Sequence, residues 1–124
     1  MSSEDRQRGE QIRSMIVDAL GHLADPADRQ LVYLQGLFGR SVLPADFNVD
    51  ELALELNDVA LAAHLAVAAG GMTAEAASAV ARVDEALAAI SGTANAPLWT
   101  VTALFDALEW ERIRGLAAAA LALL

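Results

Sequence analysis

The sequence predicts an all-α protein, a single domain in which five to six helices form a bundle around a central helix at about residues 49–69. Hydrophobic residues make up 56% of the 124 residues, and many of them are alanine, which favours helix and lets helix backbones approach closely. No segment alternates apolar and polar residues over the length of a strand. A sheet is therefore not expected.

The first two helices are predicted from caps and from apolar spacing. Ser2 or Ser3 can cap the first helix, and apolar residues recur after it at intervals of three, four and seven. Asp25 followed by Pro26 is typical of a cap and a first-turn proline, so a second helix is predicted from there to Gly39. The core-facing stripe of the first helix consists of Ile12, Met15, Ile16, Ala19, Leu20 and Leu23.

The central helix is predicted between a loop and a pair of glycines. Residues 40–47 have no helical period, so we expect a loop there, with its apolar residues packed against the helices. Asn48 is a suitable cap for the helix over residues 49–69. Gly70 and Gly71 end that helix, because glycine adopts the left-handed backbone of a helix terminus at little cost.

The central helix carries apolar residues on two opposite sides, at about 100° per residue. Such a helix is either covered on both sides by its own chain or lends one side to a partner. Both alternatives are open from the sequence. One side holds Leu52, Leu56, Val59, Ala60, Ala63 and Val67. The opposite side, here called the leucine face, holds Leu54, Leu61 and Leu65. Two polar strips separate them: the acidic ridge of Glu51, Glu55 and Asp58, and the strip of Asp50, Asn57 and His64.

The C-terminal half is predicted to contain three more helices. Thr73 caps the first of them, and apolar residues follow at intervals of four and three. Pro97 is predicted to open a short helix that reaches about Ala107, with a break near Asp106. The last helix packs Trp110 inside. The core face of the helix after Thr73 consists of Ala76, Val80, Val83, Leu87 and Ile90.

The composition excludes several kinds of chemical site. The chain has no cysteine, which excludes disulfides, thiolate zinc sites and cysteine nucleophiles. It has no lysine, which excludes a P-loop lysine and a Schiff base. His22 and His64 fall on different predicted helices, and no serine stands in a nucleophile motif. We therefore expect no enzyme activity, no metal and no cofactor.

The charge of the chain indicates which partners are expected. Acidic residues outnumber basic ones 17 to 8, which gives a formal charge of −9 and disfavours nucleic acid. A basic protein partner fits this charge. The alternative interpretation is that the acidic residues serve only to keep the protein soluble. The apolar runs are shorter than the roughly 20 residues that cross a bilayer, and the N-terminus lacks the pattern of a secretory signal. From these two observations we expect a cytoplasmic protein that does not contact a membrane.

The C-terminal part of the chain resembles a known class of protein. The residues concerned are Leu98-Trp99-Thr100, then Glu109-Trp110-Glu111-Arg112-Ile113-Arg114, then Ala117 and Leu121. This pattern resembles the ending of small all-helical bacterial proteins of the immunity type, which bind and neutralise toxins. The resemblance implies a non-enzymatic acidic protein of the bacterial cytoplasm that blocks a cationic effector such as a nuclease. It carries over no site residues.

Two functions of different classes are expected from these observations. The first is an immunity or antitoxin-like inhibitor that binds a basic effector through Glu51, Glu55 and Asp58 together with Leu54, Leu61 and Leu65. The alternative is a structural or accessory helical protein that forms a homo-oligomer, such as a homodimer, through the same leucine face. The acidic ridge is then only solvated surface.

Overall fold

The structure is a computed structural model that describes residues 2–38 and 49–124. In this part of the chain every regular element is a helix, which confirms the all-α class. The elements are α1 (Ser3–Ala24), α2 (Ala27–Phe38), α3 (Asp50–Ala60), α4 (Ala63–Ala68), α5 (Ala74–Ala89), a 3-10 helix (Thr93–Trp99), α6 (Val101–Asp106) and α7 (Leu108–Leu121). None of these helices is long and apolar enough to cross a membrane.

Helix α1 begins where the sequence predicts, but one residue of its predicted core-facing stripe is not buried. Asp5 N–H donates to Ser2 Oγ at 3.1 Å, so Ser2 is the cap. The other predicted stripe residues are buried, but Met15 is 47% exposed. Met15 lies at the edge of the stripe, where its spacing still fits but the burial ends.

The predicted continuous helix over residues 49–69 is wrong, because the chain forms α3 and α4 with a tight turn between them. Ala62 N–H bonds to Val59 O at 3.0 Å, and Leu65 N–H bonds to Ala62 O at 2.9 Å. Both bonds span three residues, as in a 3-10 turn. His64 Nδ1 lies 2.9 Å from Leu61 O and so provides a partner for a carbonyl at the turn.

The packing of α4 against α1 depends on small residues. A Cβ built on Gly9 would lie 2.7 Å from Ala69 Cβ, and one built on Gly71 would lie 3.2 Å from the Gly9 carbonyl carbon. The two backbones therefore meet at a distance that larger side chains do not allow. Helical periodicity within residues 49–69 contains no information about this contact with α1, so it does not reveal the turn.

The helix with neighbours on most sides is α1, and not the segment 49–69 as predicted. Helix α1 packs against α2, α3, α4 and α7, while α5 packs against α3, α4 and α7. On the predicted inner side of α3 and α4, Leu52, Leu56, Val59 and Ala63 are buried, while Ala60 and Val67 are partly buried and pack against the core. Within residues 2–38 and 49–124, segment 49–69 therefore lies at the surface of the helix assembly and buries one side only.

A buried polar network joins α7 to the first two helices. Gln30 is buried, and its Nε2 donates to His22 O and Leu23 O, each at 3.1 Å. Its Oε1 accepts from Arg114 Nε at 3.2 Å and from Nη2 at 3.1 Å. Arg114 also donates to Leu104 O, and burial lowers the pKa of its guanidinium. Each buried polar group thus has a partner, which fixes α7 in place.

The segment between α5 and α7 differs from the prediction at its start. Pro97 lies inside the 3-10 helix instead of opening a helix, and α6 begins after Thr100, whose Oγ1 accepts from Ala103 N–H at 3.2 Å. The predicted break is confirmed, because α6 ends at Asp106 and Ala107 is extended. The predicted cap Thr73 is also confirmed.

Two tryptophans pack the segment between α5 and α7 against the core. Trp99 and Trp110 are buried, with their rings edge to face and the centroids 5.3 Å apart. Trp99 Nε1 donates to Ile90 O and Trp110 Nε1 donates to Leu98 O, both at 2.7 Å. These bonds connect the end of α5 and the start of α7 through the 3-10 helix.

Three predictions lie outside the described residues. They are the end of the second helix at Gly39, the loop over residues 40–47 and the cap at Asn48.

Candidate functional site

The predicted leucine face lies at the surface. Leu54 on α3, Leu61 in the turn and Leu65 on α4 are 46%, 76% and 44% exposed. The helices of residues 2–38 and 49–124 therefore leave this side of the segment open, which removes the alternative of cover from both sides within the described chain.

The acidic ridge is divided by the fold. Asp58 is exposed and Glu51 is half-buried, but Glu55 points its carboxylate into contacts with two other helices. The three side chains share a strip of α3, as their spacing predicts, yet they do not share an environment. Among the described residues, Asp58 is the member of the ridge that is exposed to solvent, whereas Glu55 is engaged by other helices.

Glu55 forms a cluster with His22 of α1 and Tyr33 of α2. Its Oε2 lies 2.9 Å from His22 Nδ1, and its Oε1 accepts a hydrogen bond from the Tyr33 hydroxyl. The His22 and Tyr33 rings stack with centroids 3.7 Å apart and planes at 18°. Burial and the neighbouring Glu55 carboxylate raise the pKa of Tyr33 well above its ordinary value. The cluster joins three helices, and no spacing within one helix could have revealed it.

A trough lies beside Leu54, between α3 and α5. It consists of two adjoining depressions of about 200 and 170 Å³ that share Ala53, Leu54 and Ser91. Its apolar lining includes Leu87 and Trp99. Its polar lining consists of Asp50, Asn57, Asp84 and Ser91, and we call it the acidic trough because of the two aspartates.

The acidic trough was only partly visible in the sequence. Asp50 and Asn57 belong to the predicted polar strip, while Asp84 was not singled out. Asp84 lies between the core residues Val83 and Leu87 and is half-buried, so a carboxylate next to a core position was the available signal. What brings Asp84 opposite Leu54 is the packing of α5 against α3, which periodicity does not specify.

The arrangement is suited to binding a protein side chain. An apolar centre with a charged rim is the usual composition of a protein interface. In the described part of the chain, no group of three or more histidine and carboxylate side chains could hold a metal ion. The exposed His64 bonds to the Leu61 carbonyl, which gives it a structural contact.

Comparison of the chain with models of protein families, with curated proteins and with solved structures found no match.

Proposed function

We propose that the chain is an acidic protein-binding module, a helical bundle that acts as an immunity or antitoxin-like inhibitor of a basic bacterial effector in the cytoplasm. The observation that carries this proposal is the exposure of Leu54, Leu61 and Leu65 on a chain with a formal charge of −9. Exposed leucines next to carboxylates provide the apolar centre and the charged rim of an interface.

Leu54 has the surroundings of an anchor residue. It lies between Asp50 and Asp84 in the acidic trough, and the exposed Asp58 follows it by about one turn of α3. A partner that covers Leu54 excludes water from these carboxylates, and arginine or lysine side chains on that partner then compensate their charge. The net negative field also speeds the encounter with a basic protein.

The homo-oligomer through the leucine face is less well supported. A two-fold contact brings the same patch of both copies together. At this face it would bring Asp50, Asp84 and the exposed Asp58 of one copy towards those of the other, and like charges opposite each other disfavour association. The resemblance of the C-terminal residues to immunity-type proteins adds to the inhibitor proposal.

The test uses the protein encoded beside this gene. We expect that protein to be basic, to bind this chain in titration calorimetry and to lose its toxic effect on cells when the two are co-expressed. Leu54→Asp and Asp58→Arg should each weaken binding by at least about tenfold, and raising the salt concentration should weaken the wild-type complex.

The matched control is Glu10→Arg, which makes the same charge reversal at an exposed position of α1. It should change affinity by much less than Asp58→Arg. A neighbouring protein that does not bind, or a complex that Leu54→Asp and Asp58→Arg both leave unchanged, would contradict the proposal.

A further inference from the structure

A second groove lies on the other side of α5, between α5 and α7. Its volume is about 390 Å³, and its apolar lining is Ala86, Ala89, Ile90, Ile113 and Leu116. On α5, the residues of this groove and those of the acidic trough are separated by roughly half a turn of the helix. The two depressions therefore open on different sides of the protein.

The charged residues of this groove are balanced. The α5 wall carries Arg82 and Glu85, and the α7 wall carries Glu109 and Arg112. All four side chains are exposed, and none forms an ion pair with a neighbour in the described part of the chain. On a chain with 17 acidic and 8 basic residues, a groove with equal numbers of each is a local exception. We call it the balanced groove.

We infer that a second copy of this chain covers the balanced groove. A two-fold contact places a patch against itself, so the patch must be complementary to itself. A partner with charges of one sign would meet a like charge on each wall. A second copy rotated about an axis along the groove instead lays α5 of one copy over α7 of the other. Each wall, which carries one arginine and one glutamate, then faces a wall of the same composition, so arginine can pair with glutamate across the contact.

The apolar surface around the groove extends this argument. Leu108, which is 75% exposed, lies four residues before Arg112 and therefore on the same side of α7. Ala86 and Ala89 in the floor let a helix of the second copy approach closely. The four helices α5 and α7 of both copies then pack as a bundle across the two-fold axis. This arrangement leaves both acidic troughs open, so it is independent of the proposed function.

The test is a charge exchange between two variants, followed by sedimentation velocity. Wild type should show a reversible dimer whose fraction rises with protein concentration. Arg82→Glu with Arg112→Glu makes the groove entirely acidic, and Glu85→Arg with Glu109→Arg makes it entirely basic. Each variant alone should dimerise at least about tenfold more weakly than wild type, because like charges then oppose each other. An equimolar mixture should form the heterodimer.

The matched control is Leu61→Asp on the leucine face, which should leave the dimer unchanged. Circular dichroism checks that each variant retains its helix content, and formation of the heterodimer shows at the same time that both charge variants are folded. A wild-type chain that stays monomeric at every concentration would overturn the inference. So would a dimer that Leu61→Asp dissociates, or charge variants that do not associate when mixed.

Discussion

The two sides of α5 both carry depressions with an apolar lining, but one is acidic and in the other the positive and negative charges balance. The acidic trough towards α3 combines Leu54, Leu87 and Trp99 with two aspartates. The balanced groove towards α7 combines alanine, isoleucine and leucine with two arginines and two glutamates. Judged by apolar area alone, the trough and the groove would be expected to bind the same kind of partner. The local arrangement of charge separates a surface suited to a basic protein from one suited to a second copy.

The balanced groove exists only while α7 holds its position against the rest of the protein, and Arg114 is the residue that fixes α7. Arg114→Leu leaves Gln30 Oε1 and Leu104 O buried without this donor. We expect unfolding free energy to fall by about 2–3 kcal/mol in urea titrations, the order of cost of buried unsatisfied polar groups.

Arg29→Leu on α2 is the control for Arg114→Leu, because Arg29 is exposed. Its effect should stay within about 0.5 kcal/mol. Equal losses for the two variants would show that the buried network does not hold α7.

The position of α4, and with it the exposed Leu65, depends on the contact at Gly9. Gly9→Ala introduces a Cβ that meets Ala69 Cβ at 2.7 Å, so we expect a loss of about 1–2 kcal/mol in unfolding free energy. Gly21→Ala in the same helix has open space around its Cβ and should stabilise by about 0.5–1 kcal/mol.

A double variant distinguishes this steric cause from a general effect on α1. Ala69→Gly removes the methyl group that the new Cβ of Gly9→Ala meets. Part of the lost stability should therefore return in the double variant. If the two effects simply add, the contact between α1 and α4 is not the cause.

The sharpest separation of the two sides of α5 comes from one charge reversal on each. Asp84→Arg should weaken binding of the basic partner by about tenfold, or about 1.4 kcal/mol, and leave dimerisation unchanged. Arg82→Glu should weaken dimerisation and leave binding of the basic partner unchanged. Calorimetry measures the first effect and sedimentation the second. If either variant changes both, the two surfaces do not act separately.

The smallest expected effect concerns Tyr33, which holds Glu55 of α3 and so steadies the trough wall. The raised pKa means that the folded state disfavours the phenolate. The stability linked to this group is therefore fully present below the ordinary pKa of 10.0 and is lost as the pH rises above it.

Tyr33 is the one tyrosine of the chain, so ultraviolet absorbance in an alkaline titration follows it directly. Glu55→Gln should bring its pKa down towards the ordinary value, because it removes the neighbouring negative charge. Glu51→Gln is a milder control, since Glu51 contributes the smallest of the named effects. A wild-type phenol that ionises at its ordinary pH would contradict the cluster.

Local signals predicted the parts of the fold that depend on a few neighbouring residues. Ser2 and Thr73 are caps because each side chain reaches an amide three residues ahead, and that relation is contained in the sequence. The turn at Leu61 and Ala62 was missed because it accompanies the approach of α4 to Gly9, far away along the chain.

The candidate site shows the same limit. The spacing of Leu54, Leu61 and Leu65 indicated a shared face, but periodicity cannot say whether another helix covers it. Glu55 matched the acidic ridge in spacing, and only the approach of α1 and α2 shows that His22 and Tyr33 engage it. Residue type and period therefore predict which side chains share a face, whereas tertiary packing determines which of them remain available.

The place of Trp99 at one end of the acidic trough provides an intrinsic optical reporter. Its indole is largely buried and lies edge-on to Trp110, which is fully buried. A bound side chain that displaces water near Trp99 changes the polarity around this ring, and with it the emission wavelength. In a Trp110→Phe background, occupancy of the trough becomes readable from fluorescence without an attached label.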